Sequence, residues 1–215
     1  MAVRAQGFDR GQRLRLAAGA AALFVLLAIL TASVWHVDGP TTLDHTRLGI
    51  NAHLDHVGPR LFRGLVEFGS PGAVAVLAIA VAALAGAWRD WFGATLAVLG
   101  PGFTGFLTEV VAKPLVDRHK GYGSGLSFPS GHTAAAAALA AVAVLVVYRR
   151  RGRRAALWAA VAASALPLVV ALGVVHLGWH YATDALGGVA LGGGVVLAAA
   201  AALSAVWPGR TRRGA

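Results

Sequence analysis

Six apolar stretches, each close to the length of a membrane-spanning helix, dominate the chain of 215 residues. A helix needs about 20 apolar residues to cross a bilayer. The composition agrees, because 57% of the residues are hydrophobic and only 13% are charged, against about 25% charged in a typical soluble domain. The sequence therefore predicts an all-α integral membrane bundle with six transmembrane helices, at about residues 16–37, 71–88, 91–112, 131–148, 155–177 and 185–207.

Clusters of arginine predict the orientation of these spans. They lie before the first span, between the fourth and fifth in the stretch RRRGRR, and after the last. Six spans put all three clusters on one side, which the positive-inside rule makes cytoplasmic. Arginines at such positions contact anionic lipid headgroups. The net charge of +10 therefore gives no reason to expect a nucleic-acid partner, and the chain is predicted to be a multi-pass protein of the inner (plasma) membrane with both termini cytoplasmic.

The fourth stretch opens, on the opposite side, with Pro129-Ser130-Gly131-His132 followed by an alanine run. Proline disfavours helix before it, serine is a good helix N-cap and alanine is the strongest helix former. The free N–H groups of a helix start attract anions such as phosphate, and Gly131 leaves room for an oxyanion. The stretch predicts either a phosphate-binding helix start with His132 beside it or an ordinary capped helix.

His180 and Asp184, in the stretch HYATD, are four residues apart and share a face if the stretch is helical. A carboxylate that binds one imidazole nitrogen makes the other more basic, which suits a nucleophile. The alternative is a structural pair at the end of a span. His176 raises a further alternative, a metal cluster with His180 and Asp184, which we do not favour because that ligand set has weak metal geometry.

Only two of the 19 basic residues are lysines, Lys113 and Lys120, with Arg118 between them. A lysine in an arginine-rich chain indicates a local need for a compact charge, although a hydrated basic loop is the alternative. Glu109 is expected to pair with Lys113 four residues on rather than to act in catalysis. Cations, an anion-binding helix start and two histidines together suit phosphoryl transfer without a metal or other cofactor.

In order and spacing these residues resemble the type 2 phosphatidic acid phosphatase family, which includes lipid phosphate phosphatases and bacterial undecaprenyl pyrophosphate phosphatases. The family pattern K-x6-R-P, P-S-G-H and S-R-x5-H-x3-D corresponds here to KPLVDRHKG, PSGH and GVVHLGWHYATD, within about residues 64–200. The resemblance implies a six-span bundle with an outward-facing site. It also implies hydrolysis of a lipid phosphate or diphosphate through a phosphohistidine intermediate, with a membrane lipid as substrate.

The resemblance also implies a role for each site residue. His180 would be the nucleophile, Asp184 the carboxylate that orients it and His132 the general acid. The phosphate would be held by Lys113, Ser130 and the N–H of Gly131.

Two departures from the family pattern change the expected phosphate site. Lys120 stands where the family has arginine, and the family's Ser-Arg pair falls on Gly173 and Val174. One phosphate-binding cation is therefore missing, and we predict that Arg118 moves in to compensate. Two alternatives stay open: a catalytically impaired member that only binds anionic lipid headgroups, and a lipid phosphotransferase.

The whole chain is predicted to form one membrane domain. Residues 1–15 would be a cytoplasmic basic arm, 71–207 the catalytic helix bundle and 208–215 a cytoplasmic tail. Residues 38–70 would be an extracytoplasmic connection with an interfacial helical segment. The histidines of this connection, His45, His53 and His56, fit no single ligand set and are predicted to be solvated.

Overall fold

A computed structural model of the protein describes residues 7–45, 58–120 and 125–207. Within these ranges the chain forms helices and no strands, apart from a single bridge between His119 and Leu126. The all-α class is therefore confirmed. In chain order the elements are α1 (Arg10–Val34), α2 (Thr42–His45), α3 (Pro59–Glu67), α4 (Pro71–Ala87), α5 (Trp91–Phe106), a π-helical segment (Leu107–Ala112), α6 (Lys113–Val116), α7 (Gly131–His176) and α8 (Ala182–Val206).

Four helical segments in the described part of the chain are long and apolar enough to cross a membrane: α1, residues 91–116, α7 and α8. A fifth span is obtained if α3 and α4, which are bent by 45° relative to each other, count as one broken span. The membrane-spanning character is thus confirmed, whereas the exact count of six is not.

The predicted fourth and fifth spans lie within one helical segment, α7, of 46 residues. Instead of a loop at RRRGRR, the backbone breaks at the single residue Gly152, whose φ of 80° and ψ of −174° are not helical. A glycine tolerates this positive φ at no steric cost. The arginines on both sides of Gly152 stay helical, and the chain reverses direction between them, because Gly69 lies against both His132 and Val170. The predicted connection between the two spans is thus reduced to a sharp turn at Gly152.

Short polar side chains begin most of the long helices. Asp9 accepts a hydrogen bond from the backbone N–H of Gln12 at 2.8 Å, and Asp90 accepts one from Gly93 at 3.1 Å. Ser130 caps α7 more loosely, at 3.5 Å from the nitrogen of Thr133. Each cap satisfies an N–H that the helix itself cannot bond, which is worth about 1 kcal/mol.

The last helix, α8, packs mainly against α7 and α1. Its close approach to α7 depends on glycine, because a Cβ added to Gly188 would lie 2.6 Å from the carbonyl oxygen of Ser130. A Cβ on Gly192, one turn further along, would overlap the carbonyl oxygen of Ala134. Small residues spaced in this way allow the backbones of two membrane helices to touch, and here they bring the N-terminal ends of α7 and α8 together.

The connection between α1 and α4 contains two short helices, α2 and α3. Leu61 of α3 and Phe68, which follows it, are exposed, while Phe62 and Val66 are buried against α7. The predicted helical segment is therefore present in part, and it covers the C-terminal part of α7 around Gly173. His53 and His56 lie outside the described residues.

Candidate active site

A cavity of about 720 Å³ lies beside the N-terminal end of α7. Four of the predicted site side chains line its polar end: His132, His180, Lys113 and Lys120. Gly131 lines it as well. Residues that are far apart in the sequence are thus brought to one hollow, because the π-helical segment, the start of α7 and the turn before α8 meet there.

The part of the cavity wall that α4 and α5 contribute is apolar, whereas the π-helical segment adds Thr108 and Glu109. Glycine contributes to the α5 side of this wall, where a Cβ on either Gly102 or Gly105 would meet nothing within 4 Å. The described residues of this wall are Pro71, Val74, Ala75, Ala78, Ile79, Val98, Pro101, Gly102, Gly105 and Phe106. The cavity therefore joins a cationic end to a hydrophobic groove between two membrane helices.

Ser130 connects the two helix starts that border the site. Its side chain is buried and its Oγ accepts hydrogen bonds from the backbone and hydroxyl of Thr133, at 3.5 and 3.1 Å. Its backbone N–H donates to the carbonyl oxygen of Asp184 at 2.9 Å. Ser130 is not among the described residues that line the cavity, so its observed function is to fix the start of α7 beside that of α8.

His180 lies in the turn between α7 and α8, because α8 begins only at Ala182. The expectation of a shared helix face with Asp184 is therefore wrong, although the two side chains do meet. Nδ1 of His180 is 3.5 Å from Oδ2 of Asp184, which exceeds hydrogen-bond length, and no described polar atom bonds this nitrogen. Contacts between catalytic groups often tighten only when substrate binds.

Arg118 is fully buried and lies next to this pair, outside the described cavity lining. Its NH1 donates to Asp184 Oδ1 and to Thr183 Oγ1, both at 2.6 Å. Its NH2 donates to Asp44 Oδ2 at 2.7 Å and to the Gly39 carbonyl at 3.0 Å. Both terminal nitrogens are thus used within the protein, which differs from the predicted move of Arg118 into the phosphate site.

Asp44 is the site residue that the motifs did not reveal. Its Oδ1 accepts hydrogen bonds from the backbone N–H and the hydroxyl of Thr183, at 3.0 and 2.8 Å, so it also caps the start of α8. Burial alone raises the pKa of this carboxyl group, but hydrogen bonds from Thr183, Thr41 and Arg118 outweigh burial and lower the pKa to about 2. Asp44 is therefore ionised at physiological pH.

Asp44 belongs to none of the motifs, since it lies in the polar connection some 70 residues before Arg118. The sequence indicates its role only indirectly. The chain has only nine acidic residues, and a buried arginine must be paired with a carboxylate. A search for the partner of Arg118 would therefore have had few candidates.

The two cavity lysines have different surroundings. Lys113 donates to both carboxylate oxygens of Glu109 at 2.8 Å, which confirms the predicted pair. Burial lowers the pKa of Lys120 below its ordinary value, the negative charge of Asp184 opposes this change and the positive charge of Lys113 adds to it. Lys120 thus loses its charge at a lower pH than an ordinary lysine does.

The family's Ser-Arg position is filled by apolar packing in this chain. Val174 is fully buried in a cluster with Val66, Val170 and Ala185. A Cβ on Gly173 would lie 2.5 Å from a methyl group of Val66. Val66 of α3 therefore leaves no room for a side chain at Gly173, and Val174 is buried in the same apolar cluster.

His176 is not part of the cavity lining among the described residues. Its ring packs on Phe62, with 4.0 Å between ring centroids, and its Nδ1 is buried without a described partner. The described residues contain no group of three or more His, Cys, Asp or Glu arranged to hold a metal ion. The alternative cluster of His176, His180 and Asp184 is therefore not assembled.

Fold and site together define a multi-pass helical membrane protein with a histidine- and lysine-lined cavity at one end of the bundle. Residues 16–208 match the PAP2 superfamily, and the chain belongs to that superfamily, which confirms the resemblance drawn from the motifs. A solved structure, the transmembrane PAP2-type phosphatidylglycerolphosphate phosphatase from Bacillus subtilis, is similar with a TM-score of 0.69 and 22% identity, over 90% of this chain and 98% of that one. At this identity the similarity shows a shared fold. No curated protein matches the sequence.

Proposed function

We propose that the protein is a phosphatase that hydrolyses a lipid phosphate or diphosphate through a phosphohistidine intermediate. The observation that carries this proposal is the single cavity shared by His132, His180, Lys113 and Lys120. The two histidines are also close enough to interact electrostatically. Two imidazoles facing one cationic hollow can act as nucleophile and general acid on the same phosphoryl group.

The apolar part of the cavity supports a lipid as the substrate. A lipid phosphate has an anionic headgroup and a hydrocarbon chain, and these two parts match the lysine end and the α4–α5 groove. A soluble phosphate ester would leave the apolar groove unused.

The proposed chemistry proceeds in two steps. Nε2 of His180 attacks phosphorus, the bond to the lipid oxygen breaks, and His132 protonates the leaving oxygen. A water molecule, deprotonated by His132, then attacks phosphorus, the N–P bond breaks and inorganic phosphate leaves. Lys113, Lys120 and the N–H of Gly131 stabilise the charge on the phosphoryl oxygens, while Asp184 orients His180.

We propose that this site faces the extracytoplasmic side. The arginine cluster that begins at Arg149 lies 18 residues along α7 from Gly131, a rise of about 27 Å, close to the thickness of the hydrocarbon core. The positive-inside rule assigns the arginine end to the cytoplasm. The cavity would then open to the outer leaflet.

Phosphate release from a panel of lipid phosphates, measured on detergent-purified protein with EDTA present, tests this function. Wild-type protein is expected to release phosphate, and His180→Ala is expected to lose the release while unfolding at the same temperature. The matched control is His36→Asn, because His36 lies outside the cavity lining and asparagine tolerates its positive φ. Full activity in His180→Ala would exclude His180 as the nucleophile.

A second candidate, binding of anionic headgroups without turnover, is favoured by one observation. The family's arginine position is the buried Val174, and both terminal nitrogens of Arg118 are used within the protein. Lipid binding without phosphate release across the panel would support this candidate. Phosphate appearing on an added alcohol rather than in solution would instead indicate a phosphotransferase.

A further inference from the structure

Glu109 places a carboxylate inside the cationic end of the cavity. It belongs to the π-helical segment 107–112, lines the cavity, and holds both of its oxygens 2.8 Å from Nζ of Lys113. π-helical segments often occur at functional sites. This carboxylate therefore belongs to the site, at its open side, since 55% of the Glu109 side chain is exposed.

The same carboxylate also lies against the start of α7. A Cβ built on Gly131 would be 2.6 Å from Oε1 of Glu109. Glu109 is also near enough to His132 for its charge to act on that ring. A negative group thus already lies beside the lysine and the helix start that a phosphoryl group needs.

A phosphate entering this position must displace the carboxylate, because two anions cannot share one lysine and one helix start without strong repulsion. The displacement weakens the binding of every phosphate by the same factor. A lipid phosphate can recover that loss through its hydrocarbon chain in the α4–α5 groove, whereas inorganic phosphate cannot. The carboxylate therefore acts most visibly on ligands that have no apolar part.

We propose that Glu109 is a built-in competitor of phosphate, which returns to Lys113 after each turnover and helps to expel the inorganic phosphate product. This inference rests on the proposed function and adds a residue that sets which phosphates can stay bound. Glu109 does not touch the reacting atoms in this mechanism and is not a catalytic residue. Its effect is on the occupancy of the site.

Calorimetric titration of the full-length protein with inorganic phosphate tests the proposal without requiring turnover. Glu109→Gln keeps the size of the side chain and removes its charge, and the dissociation constant for phosphate is expected to fall about tenfold. Glu109→Asp keeps the charge but shortens the side chain, so that it no longer reaches Lys113. It is expected to shift the constant in the same direction.

The matched control is Glu67→Gln. Glu67 also acts electrostatically on His132, but it is not among the described residues that line the cavity. Its substitution is expected to change the dissociation constant by less than twofold. An equal effect of Glu67→Gln would assign the change to general electrostatics and overturn the proposal.

The proposal is also overturned if Glu109→Gln leaves phosphate binding unchanged or weakens it, or if Glu109→Asp binds phosphate as the wild type does. Absence of phosphate binding in both wild type and variants would overturn it as well. Failure of the proposed function gives a different result. In that case no lipid phosphate is hydrolysed, yet the titrations still show a lower dissociation constant for phosphate in the two Glu109 variants than in the wild type.

In turnover assays the same variant gives a second readout. Inorganic phosphate is expected to inhibit Glu109→Gln at about one tenth of the concentration needed for wild type, with KM for the lipid substrate lowered in parallel. A lowered KM without stronger product inhibition would contradict the proposed release of phosphate.

Discussion

The two ends of the helix bundle carry the same structural device with a different charge balance. At the cytoplasmic end of the predicted topology, Arg149 donates to both carboxylate oxygens of Asp90, at 2.7 to 3.0 Å, and lies over the ring of Phe92 at 4.5 Å. At the other end, Arg118 binds two aspartates and lies over the ring of Tyr181, also at 4.5 Å. In each case an aspartate that caps a helix start is held by an arginine, which is fully buried at Arg118 and partly buried at Arg149.

The charges cancel at one end and not at the other. Arg149 and Asp90 sum to zero, whereas Arg118, Asp44 and Asp184 sum to one negative charge. Within this cluster, Oδ2 of Asp184 lies 3.5 Å from Nδ1 of His180. The negative charge of Asp184 also acts on Lys120. A neutral pair is sufficient to fasten α5 to α7, whereas a negatively charged cluster also favours positive charge on the groups that face it.

The comparison therefore separates two functions of buried ion pairs. The Arg149 pair is expected to matter for stability alone. The Arg118 cluster is expected to matter for stability and for the orientation of His180. Matched substitutions at the two ends test this separation.

The largest effect is expected on stability, from Arg118→Met compared with Arg149→Met. Loss of Arg118 leaves two buried carboxylates without their cation, and breaking a buried pair in this way costs about 3–5 kcal/mol. Loss of Arg149 leaves one carboxylate, beside a polar cavity that also contains Gln12 and Tyr148, and is expected to cost about 1–3 kcal/mol. Thermal unfolding in detergent, followed by tryptophan fluorescence, measures the difference.

Equal decreases of the unfolding temperature in Arg118→Met and Arg149→Met would contradict the comparison. They would mean that the second carboxylate bound to Arg118 does not increase the cost of removing the arginine. A greater loss for Arg149→Met would show that the pair of Arg149 and Asp90 contributes more to the stability of the protein than the Arg118 cluster does.

The next effect is expected on turnover, from Asp44→Asn compared with Asp90→Asn. Asp44 is not among the described residues that line the cavity, but its removal abolishes the surplus charge and loosens Arg118 and the start of α8. We expect kcat for lipid phosphate to fall about tenfold, which corresponds to about 1.4 kcal/mol, with KM little changed. Asp90→Asn is expected to keep kcat within twofold, because its partner is remote from the histidines.

Both variants also lose some stability, so rates are compared per folded molecule after size-exclusion chromatography. If the two substitutions lowered kcat equally, Asp44 would have a structural function only. A rise of KM alone would instead place its effect on binding.

Much of the site was predictable from the sequence because its motifs are local. The helix start at Ser130-Gly131-His132 follows from proline, an N-cap and an alanine run, and the structure places Gly131 and His132 in the cavity lining. The pair of Glu109 and Lys113 follows from helical spacing alone. These features depend on neighbours within one turn of helix, which the sequence displays directly.

The rest depended on packing between distant segments. The surroundings of Arg118 could not be read from KPLVDRHKG, because its partner Asp44 comes from another connection. The sequence also does not show why glycine replaces the family's serine at position 173, because the reason is a contact with Val66 of the distant helix α3. The prediction of a loop at RRRGRR was wrong because charged residues between two apolar stretches are typical of loops, whereas arginine is also a good helix former.

The smallest effect is expected from Lys120→Arg, which tests whether the charge of the Arg118 cluster acts on a cation in the cavity. Burial lowers the pKa of Lys120, so this cation loses its proton at a lower pH than an ordinary lysine does. Phosphate binding through Lys120 is therefore present below the lowered pKa and is lost as the pH rises through it. An arginine stays protonated across this range, so KM for lipid phosphate should stay flat to higher pH in the variant.

Below the lowered pKa the change in KM should be threefold or less, and above it the change should exceed about tenfold, since a charged hydrogen bond is worth about 1.5–3 kcal/mol. Lys120→Gln gives the reference, because it lacks the charge at every pH and its KM should match the alkaline value of wild type throughout. Adding Asp44→Asn removes the surplus negative charge that favours the lysine cation, so in that background the rise of KM should begin at still lower pH. Identical KM profiles with and without Asp44→Asn would confine the influence of the cluster to His180.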